Sequence, residues 1–361
     1  MPRSSSASRS NLLIDRRTFL KLAGSGAALT WLGASKPAAA QTNRWTLVAI
    51  PDTQNYAARS SLLSYAQDQT SWIVDNIESE NIAFVVHTGD LVEDGTSLTQ
   101  WNRIDGVMDT LDGDLDSNSD GLVPYATPPG DHDWAVEEDR SSSTENYRQF
   151  FGQSRYVGRS WFGSSGPNEL SQYQRISAGG FDFLHIALEW EAPGDADDDT
   201  TPLGWAQSIM DQYPERPTIV STHAYLWDGF PKGRTFFVEE ENDNGSSGER
   251  IWREIVEPNP QVFMVLNGHF HVRIGSDDGE FHQVSTNGAG LPVFEMLADY
   301  QDYPNGGNGW MRLVQFISGG GSGGQDRIQV WTYSPSLDKF AADDSSQFSF
   351  DIDLVDRFTP S

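Results

Sequence analysis

Apolar runs of strand length recur along the chain: Trp45 to Ile50, Ile82 to His87, Phe181 to Leu188, Thr218 to Ser221, Val262 to Leu266, Trp310 to Phe316 and Ile328 to Tyr333. Between the first two, Leu62, Leu63, Ala66, Thr70, Ile73 and Ile77 recur at helical spacing, which predicts the crossover helix of a βαβ unit. Shorter helices are predicted over Leu203 to Gln212, after an acidic loop, and over Glu249 to Glu257, before Pro258. Early strands thus alternate with helices, while the last hundred residues read mainly as strand and turn. The pattern predicts an α/β chain with sheets packed face to face in one domain over residues 42–356. Polar stretches at 112–121, 195–201, 239–248 and 319–324 mark surface loops rather than domain boundaries. No repeat period is visible.

Residues 1–40 break this pattern. A basic stretch leads into Asp15-Arg16-Arg17-Thr18-Phe19-Leu20-Lys21, then an apolar run from Leu22 to Gly33, then Ala38-Ala39-Ala40. Paired arginines before Phe-Leu-Lys, with small residues at a cleavage position, resemble a twin-arginine export signal. The apolar run is shorter than the ~20 residues a membrane span needs. The expectation is a protein handled by the twin-arginine machinery and released outside the cell, with no stable membrane insertion.

Composition fits that compartment. The 361 residues are 37% hydrophobic and 12% aromatic, enough for a full core, so disorder is excluded as the whole account. There is no Cys, hence no disulfide. Asp plus Glu number 52 against 24 Lys plus Arg, a formal net charge of −28, and only 4 of those bases are Lys. Such a surface excludes a nucleic-acid scaffold, because phosphate binding needs Lys and Arg to displace counterions. Repulsion on this scale is screened when the Debye length falls to ~3 Å near 1 M salt, so the composition predicts a halophilic protein.

The chemistry is concentrated in five segments that follow strand-like runs: Pro51-Asp52-Thr53-Gln54, Thr88-Gly89-Asp90-Leu91-Val92-Glu93, Pro129-Gly130-Asp131-His132-Asp133, Ser221-Thr222-His223 and Asn267-Gly268-His269-Phe270-His271. Strand ends in α/β sheets are where loops converge on a crevice. Side chains at alternate positions of an extended backbone point the same way, as in Asp52/Gln54 and His269/His271. Mixed carboxylate and imidazole donors suit Mn, Fe, Co or Zn.

The ordered set D-x-Q, G-D-x-x-E, G-D-H-D, H and G-H-x-H resembles the calcineurin-like metallophosphoesterase superfamily, here in a secreted D-x-Q form. Downstream, Met296 to Tyr303, Gly306 to Arg312 and Thr332 to Pro335 are similar to secreted bacterial and archaeal members. The resemblance implies a four-layer α-β-β-α sandwich of two mixed sheets flanked by helices, and two transition-metal ions. It implies that Asp52, Gln54, Asp90 and His271 hold the first ion, and Asp90, Asp131, His223 and His269 the second. A water or hydroxide between them would attack the phosphorus of a mono- or diester. His132 would protonate the leaving oxygen, Asp133 would orient His132, and Glu93 would support the site from behind. Arg273 and Arg312 are candidate contacts for a substrate phosphate. The competing reading is a non-catalytic cell-surface binding module that keeps its metals for structure; the His132-Asp133 pair argues for catalysis.

Three positions depart from the family's commoner pattern. Gln54 replaces a His, Glu93 stands where Asp is common and where purple acid phosphatases place a Tyr ligand, and Asp131 replaces an Asn. The last adds a negative charge and predicts tighter metal binding, or a preference for one trivalent ion, at some cost in attraction for a phosphate anion. Outside the motifs, the acids of residues 112–121 resemble the start of an EF-hand, but the twelfth position counted from Asp116 is Thr127, so the stretch reads as an acidic, solvated insertion, with a non-EF calcium loop of Asp114, Asp116, Asn118 and Asp120 as the alternative. Trp134 and Trp227 are expected to wall the cleft. His87 and His185 are expected to pack or to support the site from within strands, and His282 to sit on a sheet or the surface.

Overall fold

The computed structural model describes Leu13–Asp15 and residues 44–239, 245–271 and 279–358; the 1–40 leader lies almost wholly outside them. In the first sheet, Arg44–Ile50, Ile82–His87 and Tyr125–Ala126 run parallel. On the other side of Arg44–Ile50 the sheet continues antiparallel through Met311–Ile317, Asp326–Ser334 and Lys339–Ala341. Gln347–Ile352 also pairs with Asp326–Ser334, and Leu13–Asp15 with Lys339–Ala341. In the second sheet Phe181–Ala187, Thr218–Ser221, Val262–Asn267 and Pro292–Ala298 are parallel. Antiparallel strands close both edges: Glu280–Thr286 on one side, Gln172–Ala178 and Phe162–Ser165 on the other.

Alternate residues of the central strands serve two different interfaces. Trp45, Leu47 and Ala49 join Phe183, Ile219, Met264, Leu266 and Met296 in a buried cluster between the sheets. There Trp45 stacks on Phe316 at 4.0 Å and leans on Phe183 at 4.9 Å. The residues between them, Val48, Ile50, Ile186, Val220 and Val265, belong to the cluster that takes in the helices. Leu63–Asp75 contributes Ala66 and Ile73, Leu98–Asp112 contributes Trp101, Ile104 and Met108, and Pro202–Gln212 contributes Ala206 and Met210. The layers are therefore helix, sheet, sheet, helix. Central strands covered on both faces need apolar residues at every position, which is why they read as continuous runs. Truncating one of their large side chains costs about 3–5 kcal/mol.

Pro202–Gln212 begins at Thr201, whose hydroxyl accepts the Gly204 N–H, with Pro202 in the first turn. The helix expected over Glu249–Glu257 starts as Gly248–Ile251 and widens into a π turn over Trp252–Val256. Among the described residues no helix is long and apolar enough to cross a membrane.

Candidate metal centre

All five motif segments emerge at the carboxyl ends of parallel strands: after Arg44–Ile50, Ile82–His87, Tyr125–Ala126, Thr218–Ser221 and Val262–Asn267. Face-to-face packing brings those ends together. Asp90, Asp131, His223 and His269 each offer a donor atom, and the four atoms lie within 4.8 Å of one another. His223 Nε2 is 2.9 Å from Asp131 Oδ1 and 3.3 Å from Asp90 Oδ1, and His269 Nδ1 is 3.0 Å from Asp131 Oδ1. His223 Nδ1 donates to the Thr88 carbonyl at 2.8 Å, which leaves Nε2 free to serve as a donor toward a cation. His269 uses the other nitrogen inward, since its Nε2 faces Glu239 Oε1 at 3.4 Å.

The second set is held less tightly. Asp52 is buried and accepts the His269 N–H at 3.1 Å. Gln54 is buried at the cleft, and its Oε1 has no hydrogen-bond partner. His271 sits between two carboxylates, Nδ1 2.8 Å from Asp302 Oδ2 and Nε2 3.9 Å from Asp299 Oδ2. Asp52 and His271 do not join the four-residue group. A buried amide oxygen without a partner costs about 1–3 kcal/mol, a cost that a cation would offset. Buried carboxylates, inward imidazoles and this orphaned oxygen fit divalent metal ions.

The local backbone is fitted to this job. Asp90 and His269 have φ of +51° and +70°, a region that costs non-glycine residues about 1–3 kcal/mol and persists where surrounding structure enforces it. The motif glycines allow close approach. A Cβ on Gly89 would meet the His223 ring, one on Gly130 the Asp90 carboxylate, and one on Gly268 the Asp52 carboxylate.

Electrostatics follow from packing acids and imidazoles in one dry volume. Burial, then the charge of Asp299, raises the Asp52 carboxyl well above the ordinary range. Burial also works against Asp131, yet His269 and His223 hold it well below that range. Burial opposes protonation of His269 and His132, but nearby carboxylates win: Asp131 raises His269 to about 10, and Asp90 and Asp131 raise His132 to about 9. Positive charge is what this volume lacks.

Asp133 corrects the sequence reading. It does not orient His132: its two oxygens accept the backbone N–H groups of Gly130, Leu91 and Val92 at 2.8–3.2 Å, tying the Asp90 loop to the Asp131 turn. In a turn as tight as Asp131–Asp133, adjacent side chains diverge, so Asp133 points inward while His132 faces the cleft. His132 is instead held by the Glu93 carbonyl, 3.0 Å from Nδ1, and by Glu137 Oε1, 3.2 Å from Nε2. Glu93 thus acts through its backbone, its carboxylate standing 4.0 Å away.

Other expectations divide. Trp227 lines the cleft, 5.1 Å from Phe270, whereas Trp134 is buried against Trp190. Arg312 is buried beside Glu280, Tyr300 and the Ser345 carbonyl, away from the cleft; Arg273 lies outside the described residues. The carboxylates of Asp114, Asp116 and Asp120 do not gather into a ligand set. Asp114 and Asn118 accept N–H groups two residues on, and Asp120 binds the Ser160 N–H and hydroxyl. His185 packs between Gln174 and Ser221, His87 touches Thr53, and His282 stacks on Phe348 at 3.7 Å.

Several residues of the site carried no motif. Glu137, Glu138, Glu239, Gln301 and Asp302 line the cleft of about 480 Å³, and Asp299 lies buried behind it. The signal for the last three was the Met296 to Tyr303 segment, which carried no assigned role.

Residues 47–273 match the family model described as calcineurin-like phosphoesterase. Over 322 residues the chain is 33% identical to the protein YvnB of Bacillus subtilis (strain 168), covering 87% of this chain and 22% of that one. It therefore spans about a fifth of that relative's length. Among solved structures it is similar to purple acid phosphatase PPD1 from yellow lupin (Lupinus luteus) seeds, with TM-score 0.49, 14% identity, and 89% of this chain and 57% of that one covered. It is also similar to GAP50, the anchor in the inner membrane complex of Plasmodium, with TM-score 0.42, 9% identity and coverage of 86% and 89%.

Proposed function

The chain belongs to the calcineurin-like phosphoesterase family, and from that premise we propose that it is a metal-dependent hydrolase of phosphate mono- or diesters. One observation carries the reading: four donors, the buried Asp90, Asp131 and His223 and the half-buried His269, converge within 4.8 Å at a cleft that His132 also lines. In this reading they hold one ion, while Asp52, Gln54, Asp90 and His271 hold the other, with Asp90 shared. A bound pair of divalent ions lowers the pKa of water and neutralises phosphoryl oxygens. The chain's own residues do the rest. His132, with Nδ1 held by the Glu93 carbonyl, would present its Nε2–H to the leaving oxygen in place of its contact with Glu137. Trp227 and Phe270 form an apolar wall of the cleft for the organic part of the ester.

Two further proposals concern setting. The twin-arginine-like leader supports export and release outside the cell, testable by the localisation of a fusion with Arg16 and Arg17 changed to Lys. The acidic composition supports function in concentrated salt; reversible melting that was highest without added salt would count against it.

The central test is hydrolysis of p-nitrophenyl phosphate and its bis ester by metal-loaded protein, with Asp90→Asn as control. Turnover by the wild type, lost in the variant, supports the reading. Two retained ions without hydrolysis of either ester would favour a binding module.

A further inference from the structure

We propose that Asp299 is a ligand of the first metal ion, completing a half-site in which Gln54 supplies only a neutral oxygen. The inference rests on the two-ion reading above. Asp299 follows the parallel strand Pro292–Ala298, next to Val262–Asn267, so the sheet delivers it beside the His269/His271 loop. It is 1% exposed, and among the described residues no Lys or Arg pairs with it. Its own loop positions it: Oδ1 accepts the Gln301 N–H at 2.9 Å and Oδ2 the Gln301 side-chain amide at 3.0 Å.

One distance and one orphaned oxygen point to an ion. His271 Nε2 and Asp299 Oδ2 are 3.9 Å apart, too far for a hydrogen bond. Two bonds of ~2.1 Å from one ion span at most ~4.2 Å, so the pair is spaced as two donors to a common ion. Gln54 Oε1, fully buried and unpartnered, lines the cleft that His271 also lines. Asp299 adds a further buried carboxylate to Asp52, Asp90, Asp131 and Asp133. Buried carboxylates gathered in one volume repel one another, and a cation bound by them relieves that repulsion. An amide is a weaker donor than an imidazole, so a half-site with Gln54 gains most from an added carboxylate.

The test uses the full chain loaded with Mn²⁺. Anomalous scattering from crystals of the wild type should place an Asp299 oxygen about 2.0–2.3 Å from one ion. Metal analysis after dialysis should find two ions in the wild type and one in Asp299→Asn, with the second bound at least about tenfold more weakly. An Asp299 carboxylate more than about 3 Å from both ions overturns the proposal, as does equal affinity for both ions in the variant. Should the variant not fold, the wild-type crystal decides. A wild type that binds no ion pair overturns the two-ion reading and this inference together, whereas a pair without Asp299 overturns this inference alone.

Discussion

Nε2 of His223 lies 2.9 Å from Oδ1 of Asp131, and the same oxygen lies 3.0 Å from Nδ1 of His269. One carboxylate therefore sits against both imidazoles of the tighter half-site. Asp131→Asn keeps the shape and removes the charge. The expected outcome is a folded protein whose ion at this half-site is held about 10–100-fold more weakly, read by metal content after dialysis against a graded chelator. Unchanged retention together with an unchanged metal preference of activity would show that the charge has no part in binding.

His132 and Asp133 are neighbours with separable roles. His132→Ala removes a side chain that faces the cleft, so kcat should fall about 10²–10⁴-fold while metal content and melting temperature stay at wild-type values. Asp133→Ala orphans three backbone N–H groups, and each buried donor left unpaired costs about 1–3 kcal/mol. Urea unfolding should show a loss of about 3 kcal/mol or more. An Asp133→Ala protein of full stability but without activity would return Asp133 to a catalytic role.

Gly268→Ala probes the close approach. The added methyl would be driven into the Asp52 carboxylate, and overpacking of this kind costs about 1–3 kcal/mol. Both stability and retention of the first ion should drop. Gly106→Ala, on the helix Leu98–Asp112 with open space around its Cβ, should leave both at or above wild type.

What the sequence disclosed follows from burial. Ile82–His87 and Thr218–Ser221 have the bounds that their apolar runs suggest, because covered strands have no polar face to blur the pattern. Glu280–Thr286 went unread: it is an edge strand of half-exposed residues such as His282 and Gln283. Gln172–Ala178 escaped for a related reason, since Gln172 and Gln174 are buried through hydrogen bonds to Phe151 and His185 and look polar in sequence. The helix Leu98–Asp112 was masked by its many polar residues, although Trp101, Ile104, Met108 and Leu111 share a buried face. At the site, adjacency misled where a turn separated neighbours, as at His132 and Asp133. Asp299 lay in the Met296 to Tyr303 segment without a readable role, because its place beside His271 arises from a sheet register that joins residues 30 apart, not from a local spacing.

Acid sensitivity offers a test away from the cleft. His185 is fully buried between Gln174 Oε1 at 2.7 Å and Ser221 Oγ at 2.9 Å, and burial lowers its pKa from 6.5 to about 3. The native state thus keeps it neutral while the unfolded chain takes up a proton below pH 6.5. Its contribution is complete above that value and is lost as pH falls toward 3, by about 1.4 kcal/mol per unit once the unfolded form is protonated. In His185→Gln that dependence disappears. At pH 7 the variant should be less stable than wild type by about 1–3 kcal/mol, through imperfect replacement of two buried hydrogen bonds. By pH 5 the difference should shrink by about 2 kcal/mol, because only the wild type then resists protonation of residue 185. Urea titrations of both proteins at the two pH values measure the change. A gap that stays constant would mean that His185 titrates alike in both states.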